Sequence, residues 1–153
     1  MKSALLRFVL GLGLVCASSC ASTATPANAD VCAAAQRIIA ADNARDLDAA
    51  TKCYAPDAQW MPPRESPVVG LASIRARYTS LFATFQPEIT STIDECWQMG
   101  DVAVVRGLVG GRLVRLDDGR AVALDDKFVM ILRRCADGVW RIERLMWNSN
   151  RAE

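Results

Sequence analysis

Histidine is absent from all 153 residues, and that absence excludes more chemistry than any residue present implies. Without imidazole there is no Ser-His-Asp or Cys-His nucleophilic machinery and no histidine-ligated metal site. Acid–base work would fall to Asp, Glu, Lys, Tyr or Cys. A charge excess of one sign is missing too. The 18 basic and 17 acidic residues leave a net charge of +1, and no basic stripe runs along the chain, so nucleic acid is not an expected partner. The six cysteines contain no Cys-x-x-Cys pair, which argues against a redox or zinc motif. No metal and no cofactor is expected.

The N-terminus has the pattern of an export signal over residues 1–20. Lys2 and Arg7 form a positive region, and Phe8 to Ala17 is an apolar run too short to span a bilayer comfortably. Two processing routes remain open. Ala17-Ser18-Ser19-Cys20 resembles a bacterial lipoprotein box, which would leave Cys20 lipidated and residues 21–29 as a flexible tether. Ala27-Asn28-Ala29 is an alternative cleavage site farther from the apolar run. The expected location is the bacterial periplasm or a lipid anchor on the outer membrane, the anchor being the only expected membrane contact.

Residues 30–150 read as one domain, large enough to bury its own core. Asp30 is placed to cap a helix over residues 31–41, and a second short helix is expected over residues 46–53. A hairpin of these two would bring Cys32 and Cys53 to the same end, which suggests a disulfide between them. The alternative is that Cys32, Cys53, Cys96 and Cys135 stay free and pack as small apolar residues. Gln59-Trp60-Met61 reads as a short strand, and Pro62, Pro63 and Pro67 force an extended loop. Over residues 71–84, Leu71, Ile74, Tyr78, Leu81 and Phe82, with Phe85 beyond, form one continuous helical stripe.

Four antiparallel strands follow over about residues 90–97, 102–116, 120–134 and 139–147. They are separated by turns at Met99-Gly100-Asp101, Asp117-Asp118-Gly119 and Ala136-Asp137-Gly138. Gly107 and Gly110-Gly111 mark a bulge or bend. In the last strand the apolar phase changes between Ile142 and Leu145, which requires a bulge near Glu143-Arg144. Three helices packed on a strongly curved antiparallel sheet give a cone-shaped α+β domain with an interior cavity.

Tyr54-Ala55-Pro56-Asp57-Ala58, Val69-Gly70-Leu71-Ala72-Ser73-Ile74-Arg75, Gly100-Asp101-Val102-Ala103, Trp140-Arg141-Ile142 and Trp147-Asn148-Ser149 occur in that order. Together they resemble the nuclear transport factor 2-like superfamily, and within it the SnoaL-like and ketosteroid-isomerase-like bacterial domains of unassigned function. The resemblance implies a cone-shaped domain with an apolar pocket and a homodimer packed through the outer sheet face; it implies no single reaction. Ketosteroid isomerase uses an aspartate base, with a neutral aspartic acid and a tyrosine as oxyanion hole. Matched to this sequence, the base falls at Pro62 and the acid near Met130, so both are missing. The Arg-x-Asp motif of limonene epoxide hydrolase, another relative, occurs only as Arg115-Leu116-Asp117, at a turn.

Asp126 is the remaining catalytic candidate. By alternation it shares a face with Leu124, Phe128, Met130 and Leu132; a tight final hairpin would set Trp147 across from Phe128 and Asn148 near Asp126. The competing reading is a solvated carboxylate at a strand end. Arg106 could hold a ligand carboxylate, although the Gly100 turn places it opposite Asp94 or Glu95, and an ordinary cross-strand ion pair is the favoured reading. Trp60, Met61, Tyr78, Phe82, Trp97, Phe128, Met130 and Trp147 complete the expected pocket lining, against the plainer alternative that each packs the core; Asn148 is expected there too, to orient a ligand or merely to cap the strand. The expected ligand is a small apolar molecule. The missing base and missing histidine favour a non-catalytic binding module of the cell envelope; the alternative is a small-molecule enzyme (isomerase, cyclase or hydrolase-like) using an Asp acid/base.

Overall fold

The computed structural model describes residues 26–151; the leader, Cys20 and residues 21–25 lie outside them. The first helix, α1, spans Pro26–Ala44 and is longer at both ends than the sequence predicts. Proline suits a first helical position because its missing N–H has no partner there anyway, and the alanines behind it propagate the helix. Asp30 therefore lies inside the helix rather than capping it, and residues 26–29, expected in the tether, are helical. At the other end the chain leaves α1 through a left-handed residue, Arg45, at φ 52°. The Arg45 amide donates to the Asp42 carbonyl and the Asp46 amide to the Ala41 carbonyl, both at 3.0 Å, which is the hydrogen-bond pattern of a Schellman terminus. The Arg45 guanidinium donates to the Phe82 carbonyl, tying this terminus to the third helix.

A short helix α2 (Leu47–Lys52) follows, capped by the Asp46 side chain, which accepts from the Ala49 amide. Helix α3 (Leu71–Thr84) buries Ile74, Tyr78 and Phe82 at successive four-residue steps, as the stripe predicts. Phe85 is already extended. The strand that begins there carries Pro87 at the free edge of the sheet, where a missing donor breaks no ladder bond.

The strands are β1 (Tyr54–Met61), β2 (Val68–Val69), β3 (Phe85–Met99), β4 (Val102–Arg115), β5 (Ala121–Arg134) and β6 (Trp140–Ser149). They form one sheet in the order β2-β1-β6-β5-β4-β3. The three expected turns each join consecutive strands. The sheet is not wholly antiparallel: β1 lies parallel to β6, which is possible because the rest of the domain intervenes between them in sequence. Strand β1 is longer than predicted, and the Ala58 carbonyl accepts from the Gly70 amide at the mouth of α3.

Two bulges set which side chains point inward. In β6 the register shifts between Ile131 and Leu132 of the partner strand, leaving Glu143 unpaired, where the sequence places the phase change. In β3 the shift falls between Ile93 and Glu95, leaving Asp94 unpaired. Each bulge increases local twist and bends the sheet around the helices. Gly107 stands opposite Ile93; a Cβ there would lie 2.1 Å from the Thr92 carbonyl oxygen and 3.0 Å from the Phe128 ring. Only glycine permits this close approach at the bend.

Candidate functional site

Helices α1 and α3 lie across the concave side of the sheet and enclose a cavity of about 540 Å³, within the usual range for a small-molecule site. Its sheet wall comes from alternate β5 residues Leu124, Asp126, Phe128 and Met130, with Trp147 and Leu145 from β6. Its helical wall comes from Ile38, Ile39 and Asp42 of α1 and from Tyr78 and Leu81 of α3. Trp60 is the hub of an aromatic cluster, 4.9 Å from Tyr78, 5.8 Å from Tyr54 and 5.8 Å from Trp147 between ring centroids. These contacts are edge-to-face, the favoured arrangement for aromatic quadrupoles.

Polar groups converge at one place in this apolar surface. The Tyr54 and Tyr78 hydroxyls are 3.1 Å apart and buried. Asp42 Oδ1 is buried without a hydrogen-bond partner, and so is Trp60 Nε1. Burial pushes the Asp42 carboxyl up from 3.8 to about 7; the approaching Tyr78 hydroxyl acts the other way, although it does not satisfy Oδ1. The tyrosines are held neutral, both raised above their usual value mainly by burial. A carboxyl that is half protonated near neutral pH can serve as either acid or base. An orphaned acceptor and an orphaned donor on two residues that line one cavity are an unusual expense in a native core.

Asp126 lies at the cavity wall, as its alternation predicts, and its carboxyl is raised first by desolvation and then by the neighbouring Asp125. Trp60, Tyr78, Phe128, Met130 and Trp147 also line the cavity, and Phe128 pairs directly with Trp147. Phe82 instead packs behind Tyr78, 5.2 Å away between ring centroids, in the core. Four other expected lining residues point away, each for a register reason. Once Trp147 faces in, Asn148 must face out; it pairs with Lys127, and Ser149 takes the place opposite Asp126. Met61, which follows the inward Trp60, pairs with the exposed Met146. Trp97 would face in with Ile89 and Ile93, but the Asp94 bulge inverts the phase, so that Cys96 turns inward and Trp97 is 54 % exposed. Arg106 is on that outer face and pairs with Asp94 at 3.2 Å and Glu95 at 2.9 Å.

The sequence reading missed Asp42 because Asp42-Asn43-Ala44-Arg45 reads as a helix break. The helix runs through it and sets Asp42 one turn beyond Ile38, on the buried face. That four-residue step from Ile38 was the available signal. Tyr54 was missed because it reads as the tail of α2 rather than the start of β1. Among the described residues, no three Cys, Asp or Glu side chains are grouped to hold a metal ion.

Residues 35–143 match the model of the SnoaL-like domain family. Solved structures give the same fold. A ketosteroid isomerase-like protein from Erwinia carotovora atroseptica is 26 % identical, with a TM-score of 0.76 over 84 % of this chain and 99 % of its own. A nuclear transport factor 2-like protein from Salmonella enterica Typhimurium is 17 % identical, at 0.71 over 82 % and 92 %. A protein from Streptomyces avermitilis, provisionally described as a dehydratase of the same superfamily, is 16 % identical, at 0.70 over 82 % and 97 %. No curated protein matches the sequence. With the family model spanning most of the chain, the protein belongs to the SnoaL-like domain family, and it shares its helix-covered, curved mixed sheet with these structures, the nuclear transport factor 2-like protein among them.

Proposed function

We propose that the cavity is the active site of an acid–base enzyme for a small, ring-sized, largely apolar molecule carrying one carbonyl or hydroxyl group. The observation that carries this reading is the orphaned Asp42 Oδ1 beside the Tyr54–Tyr78 hydroxyl pair. Tyr78, bridged to Tyr54, orients the carboxyl and leaves Oδ1 for the ligand. The unpartnered Trp60 N–H would turn to the ligand oxygen and stabilise the charge that develops as a proton leaves the adjacent carbon. Asp42 takes that proton and can return it elsewhere on the same molecule, which is isomerisation, or deliver it to a departing hydroxyl, which is dehydration. The isomerase-like and dehydratase names of two structural relatives are of this chemical type. Asp126, nearer solvent, contributes polarity at the cavity wall. Its desolvated carboxyl is the second candidate for proton transfer.

The test uses a probe that needs only a buried base. Removing the C–H proton of 5-nitrobenzisoxazole breaks its N–O bond and releases a coloured cyanophenolate. The wild type should catalyse this opening with a pH midpoint near that of Asp42, and Asp42→Asn should lose roughly a hundredfold. Equal rates in both proteins would overturn the role of Asp42. A non-catalytic envelope binding module is the second reading, favoured by the dense aromatic lining. It would be supported by retention of an apolar host molecule in native mass spectrometry without any proton-transfer activity.

We also propose export, on the strength of Lys2, Arg7 and the apolar run to Ala17. Palmitate labelling of the wild type that disappears in Cys20→Ser would establish the lipid anchor, and unlabelled wild-type protein would remove it.

A further inference from the structure

The cysteines of the described residues are free thiols, and the fold does not bring Cys32 to Cys53. The Cys53 thiol lies at the end of α2, bonded back to the Ala49 carbonyl at 3.4 Å and near Arg37 and Asp42. Cys32 faces a different partner. On β3, Cys96 stands directly opposite Val105, which is completely buried, and opposed residues share a face of the sheet. The Cys96 side chain therefore points at the helical layer. Its sulfur lies 3.7 Å from the Asn28 carbonyl oxygen of α1. In an α-helix that carbonyl belongs to the residue one turn before Cys32, so Asn28 and Cys32 occupy the same face of α1. Cys32 is near enough to act on the ionisation of the Cys96 thiol.

We propose that Cys32 and Cys96 are a disulfide-forming pair that staples α1 to the edge strand β3. The Cys96 thiol is held protonated by burial and by its bond to the Asn28 carbonyl, so Cys32 begins the exchange. Its thiolate attacks an external disulfide, either a small-molecule disulfide or that of an exchange protein, and expels one thiolate. Cys96 then gives up its proton, attacks the mixed disulfide at the Cys32 sulfur and expels the second. The two cysteines lose two protons and two electrons, and the external disulfide leaves as two thiols.

The staple would act on the helix that carries Asp42. The far end of α1 is already fastened to β3 by Asn43, which bonds both backbone groups of Ile89. Oxidation would fix the near end to the same strand and enclose α2, β1, β2 and α3 in one covalent loop. Closing so long a loop restricts the unfolded chain strongly.

The experiment equilibrates the purified, natively folded protein with oxidised glutathione, quenches with acid, blocks remaining thiols with N-ethylmaleimide and digests with trypsin. The expected result is a cross-link between the peptide ending at Arg37 and the peptide Tyr78–Arg106, with fragment ions placing the bond at Cys32 and Cys96. The melting temperature should rise on oxidation, fall back with dithiothreitol, and stay unmoved by oxidant in Cys96→Ser. Full alkylation of Cys32 and Cys96, separate glutathione adducts on each, or a link from Cys32 to Cys53 would overturn the pairing. The wild-type mass analysis decides alone if the variant folds poorly.

Discussion

The side chain of Asn43 grips the backbone of Ile89 from both sides: its amide donates to the Ile89 carbonyl at 2.8 Å, and its oxygen accepts from the Ile89 amide at 2.8 Å. Ile89 lies in β3, the edge of the sheet, so these two groups would otherwise face away from any strand. The clamp also sets the position of Asp42, the preceding residue. Asn43→Ala should lower stability by about 1–3 kcal/mol, because it leaves an edge donor and acceptor without their partner. It should also slow benzisoxazole opening several-fold while leaving the pH midpoint in place. Urea denaturation and the pH–rate profile read the two effects separately. A variant as stable as the wild type would show that water replaces the clamp at no cost.

Asp42 makes a pH-dependent contribution whose sign follows from its raised pKa. The folded protein holds the proton up to about pH 7, whereas the unfolded chain releases it near the ordinary value of 3.8. Between those values the unfolded state is the more ionised, so stability falls as pH rises and levels off above the folded pKa. Asp42→Asn removes this dependence. Its stability advantage over the wild type should grow from about pH 4 to about pH 7 and reach on the order of 2–4 kcal/mol. Urea midpoints of both proteins across that range measure it. An advantage that is constant with pH would mean that Asp42 is not desolvated in solution. Gained stability with lost proton transfer is the trade expected of an active-site group.

Gly107 and Gly110 separate close approach from mere presence in a strand. Alanine at Gly107 meets the Thr92 carbonyl at 2.1 Å and the Phe128 ring at 3.0 Å, whereas alanine at Gly110 meets only Thr90 Oγ1, at 3.6 Å. Gly107→Ala should cost about 3 kcal/mol through forced backbone displacement, and it should disturb the cavity through Phe128. Gly110→Ala should stay within about 1 kcal/mol of the wild type. Thermal unfolding of the pair tests this ranking, and equal losses would contradict it.

The fold was legible where local pattern and tertiary structure agree. The α3 stripe, the three glycine turns and the phase change at Glu143 each carry their own signal, and each is in the structure. The site was legible only in part, because it depends on register. Asp126, Phe128, Met130 and Trp147 follow from simple alternation along regular strands. Trp97 does not, since one extra residue at Asp94 reverses the face of the rest of β3, and no sequence rule marks Asp94 as the residue left over; Arg106 keeps plain alternation along β4 and makes the cross-strand ion pair that the Gly100 turn suggests. Asp42 failed for the opposite reason. A polar cluster reads as a helix end, and only the continuation of α1 to Ala44 turns its carboxyl into the cavity. A desolvated carboxyl runs against the residue's own preference, so functional groups of this kind are the ones that pattern reading places worst.

On the outer face of the sheet, Trp97 and Met99 are 54 % and 63 % exposed, beside the exposed Val102, Val129 and Met146. Large apolar side chains grouped on one face mark an interaction surface more often than solvent exposure alone would. Both signs of charge border them: Arg106 with Asp94 and Glu95, and Arg133 with Glu143. Such a face can be complementary to a copy of itself across a two-fold axis. We therefore propose that a second copy of this chain covers it. Analytical ultracentrifugation should find a dimer at micromolar concentration. Trp97→Lys should shift it to monomer by roughly a hundredfold or more in dissociation constant, since buried aromatics carry much of an interface's energy. The cavity opens on the opposite face of the sheet, so the monomeric variant should keep the wild-type pH midpoint in benzisoxazole opening. A wild type that sediments as a monomer at high concentration would sink the dimer, and the exposed Trp97 would then need another partner.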